Sequence, residues 1–169
     1  LADRVAEQLY ESLFLNAVTS FETFVEELFL ALLLLGRRSG PAVPRISVQS
    51  YKVARQLVIG PGRKYADWLP YDETIKRANV FFRGGRPFAG VAKADRDLLG
   101  NAYLIRNVIA HRSRHSELKF RLNVLGTAPL PARERSPAGF LRGQLSAAPP
   151  VTRFENYVAN MLRISTQLA

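Results

Sequence analysis

Asp97-Leu-Leu-Gly-Asn-Ala-Tyr-Leu-Ile-Arg-Asn-Val-Ile-Ala-His-Arg-Ser-Arg-His115 is the stretch on which the fold turns. Leu98, Leu99, Ala102, Ile105 and Ile109 recur at spacings of one, three and four, which predicts a helix with one face toward a core. A polar cluster follows that stripe: Arg106, Asn107, His111, Arg112, Arg114 and His115. Both histidines of the chain lie in it. Asp95 and Asp97 suit the start of this helix, because carboxylates favour the positive end of a helix dipole.

Upstream, Asp3 to Leu35 reads as helix throughout, with Leu9, Leu13, Ala17, Phe21, Phe24, Leu28 and Leu32 as its apolar stripe. No Gly or Pro interrupts it before Gly36, a natural terminator, although a kink near Ser12 or Thr19–Ser20 is compatible with its length. Phe24 to Leu35 is apolar nearly all round, which predicts burial on several sides. Glu22 sits among Val18, Val25 and Phe29, either as a solvated edge residue or as the partner of an arginine in the central cluster.

Between these helices the sequence predicts a loop over Gly36 to Ser47, then a short helix over Tyr51 to Ile59 capped by Ser47 or Ser50 and ended by Gly60-Pro61-Gly62. Arg63, Lys64, Tyr65 and Trp68 mix cations with aromatics. Such a mixture can touch RNA, but the aromatics more often pack under a loop. A helix over Glu73 to Phe82 follows, with Ile75, Ala78, Asn79 and Phe82 inward. Arg83 to Pro87 is a glycine-containing turn without the spacing or the lysine of a phosphate-binding loop.

Downstream, Ser116 is a candidate cap for a helix from Glu117 to Leu125, ended by Gly126. Thr127 to Pro150 holds five prolines and reads as a long loop with one helical turn at Phe140–Leu145. Thr152 to Leu168 closes the chain as a helix packed through Phe154, Tyr157, Val158, Met161, Leu162 and Ser165. No strand pattern, repeat or heptad run is visible. The expectation is one all-α domain, a helical bundle of five or six helices over residues 1–169.

Composition narrows the chemistry. The absence of cysteine excludes disulfides, cysteine-ligated metals and thiol catalysis, and agrees with a cytoplasmic location. A net charge of +10, from 24 Lys and Arg against 14 Asp and Glu, favours an anionic partner, with compositional bias as the alternative. The longest apolar run, Leu28 to Leu35, is too short to span a bilayer, and no signal-peptide pattern opens the chain, so no membrane is expected. His111 and His115 would share a face only if their helix continued that far. No glutamate directly follows His111, so no metal site and no cofactor is expected. Residue content permits a Ser–His–Asp triad, but no glycine-flanked serine in a strand–turn–helix context supports one.

What remains is arginine with histidine. A guanidinium binds phosphate in a forked, charge-assisted way at any working pH. An imidazole exchanges a proton near neutrality. Together they suffice for RNA cleavage without a metal: a base deprotonates the ribose 2′-hydroxyl, that oxygen attacks phosphorus, and the arginine stabilises the developing charge. Arg106 and His111 stand five apart, roughly 140° around a helix, so one helix alone holds them awkwardly. A two-fold dimer would bring two copies of each together.

Arg106-Asn107-Val108-Ile109-Ala110-His111 resembles the Arg-x4-6-His motif of the HEPN superfamily, in its form Arg-Asn-x-x-Ala-His. The segment from Asn16 to Leu28 is similar to the opening helix of the RiboL-PSP and MAE-type branches. The resemblance implies a helical bundle that dimerises through its motif helices. It also implies metal-independent endoribonuclease activity in a toxin–antitoxin or antiviral setting, with an antitoxin or a fused regulatory domain as a further partner. By it, Arg106 and His111 are catalytic and Asn107 orients them or binds phosphate. Charge adds Arg112 and Arg114 as RNA-binding residues and leaves His115 an accessory or surface role. Two other readings stand beside this one. The chain could be a non-catalytic HEPN-like module that binds RNA or a protein within a larger defence or regulatory protein. It could also be a structural helical domain in which His111 caps its helix and Arg106 pairs with a carboxylate such as Glu22.

Overall fold

A computed structural model of the chain describes residues 2–35 and 42–169. Among them are seven α-helices and one two-stranded sheet, so the protein is all-α. The helices are α1 (Ala2–Leu35), α2 (Tyr51–Ile59), α3 (Tyr71–Phe81), α4 (Lys93–His111), α5 (Arg114–Lys119), α6 (Pro137–Arg142) and α7 (Arg153–Leu168). Two of the seven are short: α5 falls where a helix over Glu117–Leu125 is expected, and α6 where one helical turn at Phe140–Leu145 is expected, each starting three residues earlier. The described residues fall into two compact units, one of those up to Phe21 with Asp97–Arg163, the other of those within Glu22–Arg96 with Ile164–Ala169.

In the first unit, α1 buries Phe14, Val18 and Phe21. The expected stripe through Leu9 and Leu13 is off by one position: these residues are 55% and 43% exposed. One position turns a helix by 100°, and aromatic partners settle the register. Phe14 meets the Tyr157 ring of α7 edge-on at 5.6 Å, and Tyr10 meets Phe154 at 5.5 Å. On α7, Tyr157 and Met161 are buried as expected, while Leu162 is exposed.

Residues 127–150 are more ordered than their prolines suggest. A 3-10 turn at Ala132–Glu134 leads into α6, where the Ser136 hydroxyl accepts from Gly139 N at 3.1 Å and Pro137 takes the first turn. A hairpin of β1 (Gln144–Ala147) and β2 (Pro150–Thr152) follows, pairing Ser146 with Val151 and Ala147 with Pro150. Its strands have three or four residues and are largely exposed, too short for alternation to register in the sequence. Phe140 on α6 packs edge-on against Phe120 at 5.9 Å and carries the Arg153 guanidinium over its ring, 4.7 Å from the centroid.

In the second unit, α1 continues with Val25, Phe29, Leu30 and Leu33 buried. Phe24, Leu28, Leu32 and Leu34 are half-buried, so the all-round apolar character of this segment is only partly used. The Phe29 ring lies within 6 Å of those of Trp68, Phe81, Phe82 and Phe88. Trp68 is buried and donates from Nε1 to Glu26 Oε2 at 2.9 Å, with Arg77 stacked over it at 4.7 Å. Trp68 therefore packs under its loop, whereas Tyr65 is exposed. Ser50 occupies the cap position of α2 without a side-chain bond, and Gly60 ends the helix at φ 81°. On α3 the buried residues are Tyr71, Thr74 and Ala78, with Ile75 half-buried and Asn79 exposed. A threonine can face inward there because its hydroxyl donates to Trp68 O at 2.6 Å. The expected terminator Gly36 and the first part of the loop after it lie outside the described residues. From Ala42 to α2 the chain has no regular structure apart from one bridge, between Pro44 and Phe82.

Candidate active site

The site expected from the sequence is carried by α4 and the turn after it. Leu99, Ala102, Ile105, Val108 and Ile109 are buried and fix the rotation of α4. Arg106, one step from Ile105, lies at the edge of that face and is half-buried. Asn107 is half-buried on the next face round, and His111, one turn further along that face, is exposed. The awkward spacing has a local answer. Arg106 Nη1 donates to Asn107 Oδ1 at 3.1 Å, so its guanidinium leans toward the face that Asn107 shares with His111.

His111 is the last residue of α4. Arg112 follows with φ 44°, a left-handed backbone that residues with a side chain rarely adopt. This residue breaks the helix, and Arg112 N still closes on Val108 O at 3.1 Å. Ser113 then starts α5 with a capping box: its hydroxyl accepts from Ser116 N at 3.2 Å, and Ser113 N donates to Ser116 Oγ at 3.1 Å. Ser113 is thus the cap and Ser116 its reciprocal partner, three residues earlier than the sequence placed the helix start. The expected helix over Glu117 to Leu125 is instead α5 continued by a π-helical turn, Phe120–Leu125, ended by Gly126 as anticipated. His111 and His115 therefore belong to different helices, and the shared face that a metal would need is not formed. Among the described residues no group of three His, Cys, Asp or Glu side chains is placed to hold a metal ion.

Arg112, exposed at its tip, pairs through Nη2 with Glu11 Oε2 of α1 at 3.0 Å, a contact across 101 residues. Arg114 and His115 are exposed on the first turn of α5. Glu22 is half-buried on α1 and belongs to the second compact unit. The structure thus gathers Arg106, Asn107, His111 and Arg112 on one helix end, with Glu11 as the carboxylate that meets Arg112. Glu11 carries no motif in the sequence. Its place is set by the rotation of α1, the same rotation that the apolar pattern left ambiguous.

A groove of about 460 Å³ opens beside this helix end, lined among others by Glu11, Val108, Arg112, Phe120, Arg121 and Arg135. Arg121 and Arg135 escape sequence reading because isolated arginines are common in so basic a chain. Among the described residues no helix is long and apolar enough to cross a membrane. Compared with family models, with curated proteins and with solved structures, the chain matches none.

Proposed function

We propose that the protein is a cytoplasmic, metal-independent endoribonuclease of HEPN type, active as a homodimer in a toxin–antitoxin or antiviral setting. The observation that carries the reading is the Arg106–Asn107 hydrogen bond, which leans a phosphate-binding cation toward the face of the exposed His111. In this mechanism the imidazole of one His111 takes the proton of a ribose 2′-hydroxyl. The 2′-oxygen then bonds to phosphorus as the bond from phosphorus to the 5′-oxygen breaks, and the leaving oxygen takes a proton from the His111 of the second copy. Arg106 stabilises the charge on the non-bridging oxygens. The products are a 2′,3′-cyclic phosphate and a 5′-hydroxyl.

The alternative is a non-catalytic HEPN-like module that binds RNA or a partner protein. It is favoured by one feature: among the described residues the His111 side chain makes no hydrogen bond, whereas a general base is usually oriented by a neighbour.

The test incubates purified protein with structured and unstructured RNA, with and without EDTA, beside R106A and H111A, and measures the mass in solution. Cleavage that persists in EDTA and disappears in both variants, from a dimer, is the expected result. RNA retained intact selects the RNA-binding module, and neither binding nor cleavage rejects both the nuclease and the RNA-binding module.

A further inference from the structure

The groove beside α4 does not end at Arg112. A second cavity, of about 530 Å³, is lined by Arg121, Leu125, Gly126, Thr127, Ala128, Leu130 and Arg135. Arg121 and Arg135 line both cavities, so the two adjoin there as a trough in two parts, the first of which reaches Arg112, the residue after His111. Its two ends differ in charge. The first holds four arginines (Arg4, Arg112, Arg121, Arg135) and three glutamates (Glu7, Glu11, Glu117). The second holds Arg121 and Arg135 and no carboxylate.

We infer that this trough, through Arg112, Arg121 and Arg135, holds the phosphodiester backbone of a single-stranded RNA leading from His111. The inference rests on the nucleic-acid part of the function proposed above. Several cations spaced along a channel suit an extended polyanion better than one compact anion. Arg135 is held by its own loop, donating from Nε to Leu130 O at 3.3 Å and keeping its terminal nitrogens for a ligand. Arg121 starts a turn that closes on Gly126, whose N–H donates to Arg121 O at 3.0 Å. Phe120, the aromatic residue of the trough, is buried against Phe140 and offers no face for a base to stack on. The trough therefore reads phosphates and not bases, and it accepts DNA as well as RNA although only RNA is cleaved. At its near end Glu11 pairs with Arg112, so an entering phosphate displaces a carboxylate from a cation that is already in place.

The test uses fluorescence anisotropy of a labelled single-stranded DNA of about twelve nucleotides and of 2′-O-methyl RNA of the same sequence, neither of which the proposed chemistry can cut. The full chain is compared with R121Q/R135Q, with R121K/R135K and with the charge-matched control K52Q/R86Q. The expected result is at least about tenfold weaker binding of both strands by R121Q/R135Q, with the slope of log affinity against log salt reduced by about 1.4, or 0.7 per lost phosphate contact. R121K/R135K should bind nearly as wild type, and K52Q/R86Q should bind as wild type. Circular dichroism confirms folding of each variant. Binding that depends on Arg121 and Arg135 in a protein that cleaves nothing sustains the trough and removes the nuclease. Cleavage by wild type with unchanged binding by R121Q/R135Q overturns the trough and leaves the nuclease standing. Loss of binding in K52Q/R86Q equal to that in R121Q/R135Q, or displacement of the oligonucleotide by polyglutamate at equal charge, also overturns it. The first of these reduces the effect to net charge, and the second points to an acidic polypeptide.

Discussion

Arg106 donates from Nη1 to Oδ1 of Asn107, its neighbour in the chain, at 3.1 Å. Adjacent helical residues point about 100° apart, so such a bond forms only if the side chains lean toward each other across the helix surface. On the proposed ribonuclease reading, Asn107 positions Arg106. Its removal should lower the cleavage rate by about 10- to 100-fold, the range expected when a reacting group is displaced by an ångström. N107D should stay within a few-fold of wild type, because a carboxylate accepts the same bond more strongly. Initial rates with saturating RNA check both, and an N107A protein as fast as wild type would dismiss the positioning role.

Much of the fold is legible in the sequence because periodicity and punctuation agree. The helix over Tyr51–Ile59 has its expected bounds, and α1, α4 and α7 begin within two residues of where Asp3, Asp95 and Thr152 suggest. What pattern alone left open is rotation. On α1 the series Leu9–Leu13–Ala17 and Phe14–Val18–Phe21 fit helical spacing equally well, and only the ring contacts of Tyr10 and Phe14 with α7 choose between them. That choice places Glu11 against Arg112. The candidate site stands out in the sequence as a motif, Arg106 to His111, but the Arg112 turn that follows it does not. A non-glycine residue in a left-handed backbone leaves no mark in composition.

The backbone at Arg112 makes a prediction of its own. At φ 44° glycine is unstrained, whereas alanine carries the steric cost of its Cβ. Both substitutions delete the exposed ion pair with Glu11, whose contribution is small. R112G should therefore be more stable than R112A by about 1 kcal/mol in urea unfolding. Equal stabilities would mean that the turn relaxes out of the left-handed region once the side chain is gone.

The Glu134–Arg153 pair anchors the segment that pattern reading took for a loop. Arg153 Nη1 reaches Glu134 Oε2 at 2.7 Å and Phe140 O at 3.1 Å, with both charged side chains about 15% exposed. Gly143 lies directly beneath, and a Cβ there would collide with Arg153 Nη1 and with Glu134 Oε2. E134A strands a mostly buried guanidinium and should cost about 2–3 kcal/mol. G143A, which keeps both charges but pushes them apart, should also destabilise the protein. E134Q, which keeps an acceptor, should cost less than E134A. Chemical unfolding of the three variants checks the order. An E134A protein as stable as wild type would show that the carbonyl of Phe140 and the ring beneath suffice for Arg153.

Acid titrates the start of α7. Thr152 N and Thr152 Oγ1 both donate to Glu155 Oε2, at 2.7 and 2.8 Å, and Glu155 N donates back to Thr152 Oγ1 at 3.2 Å. This reciprocal cap holds the Glu155 carboxyl below its ordinary value of 4.5, first through the backbone N–H of Thr152 and then through its hydroxyl, against a small opposing effect of burial. A carboxyl whose folded pKa lies below its unfolded pKa binds protons more readily when unfolded. Its stabilisation is present in full above the unfolded value and is lost as pH falls through the folded one. Wild type should therefore lose stability faster than E155Q as pH drops below 4.5, and the two curves should run parallel above it. Urea midpoints measured across that range decide the matter. Since the hairpin leads directly into Thr152, the same acid step should also loosen residues 144–152, read by faster amide exchange there. Parallel curves at every pH would mean that the cap persists with the carboxyl protonated.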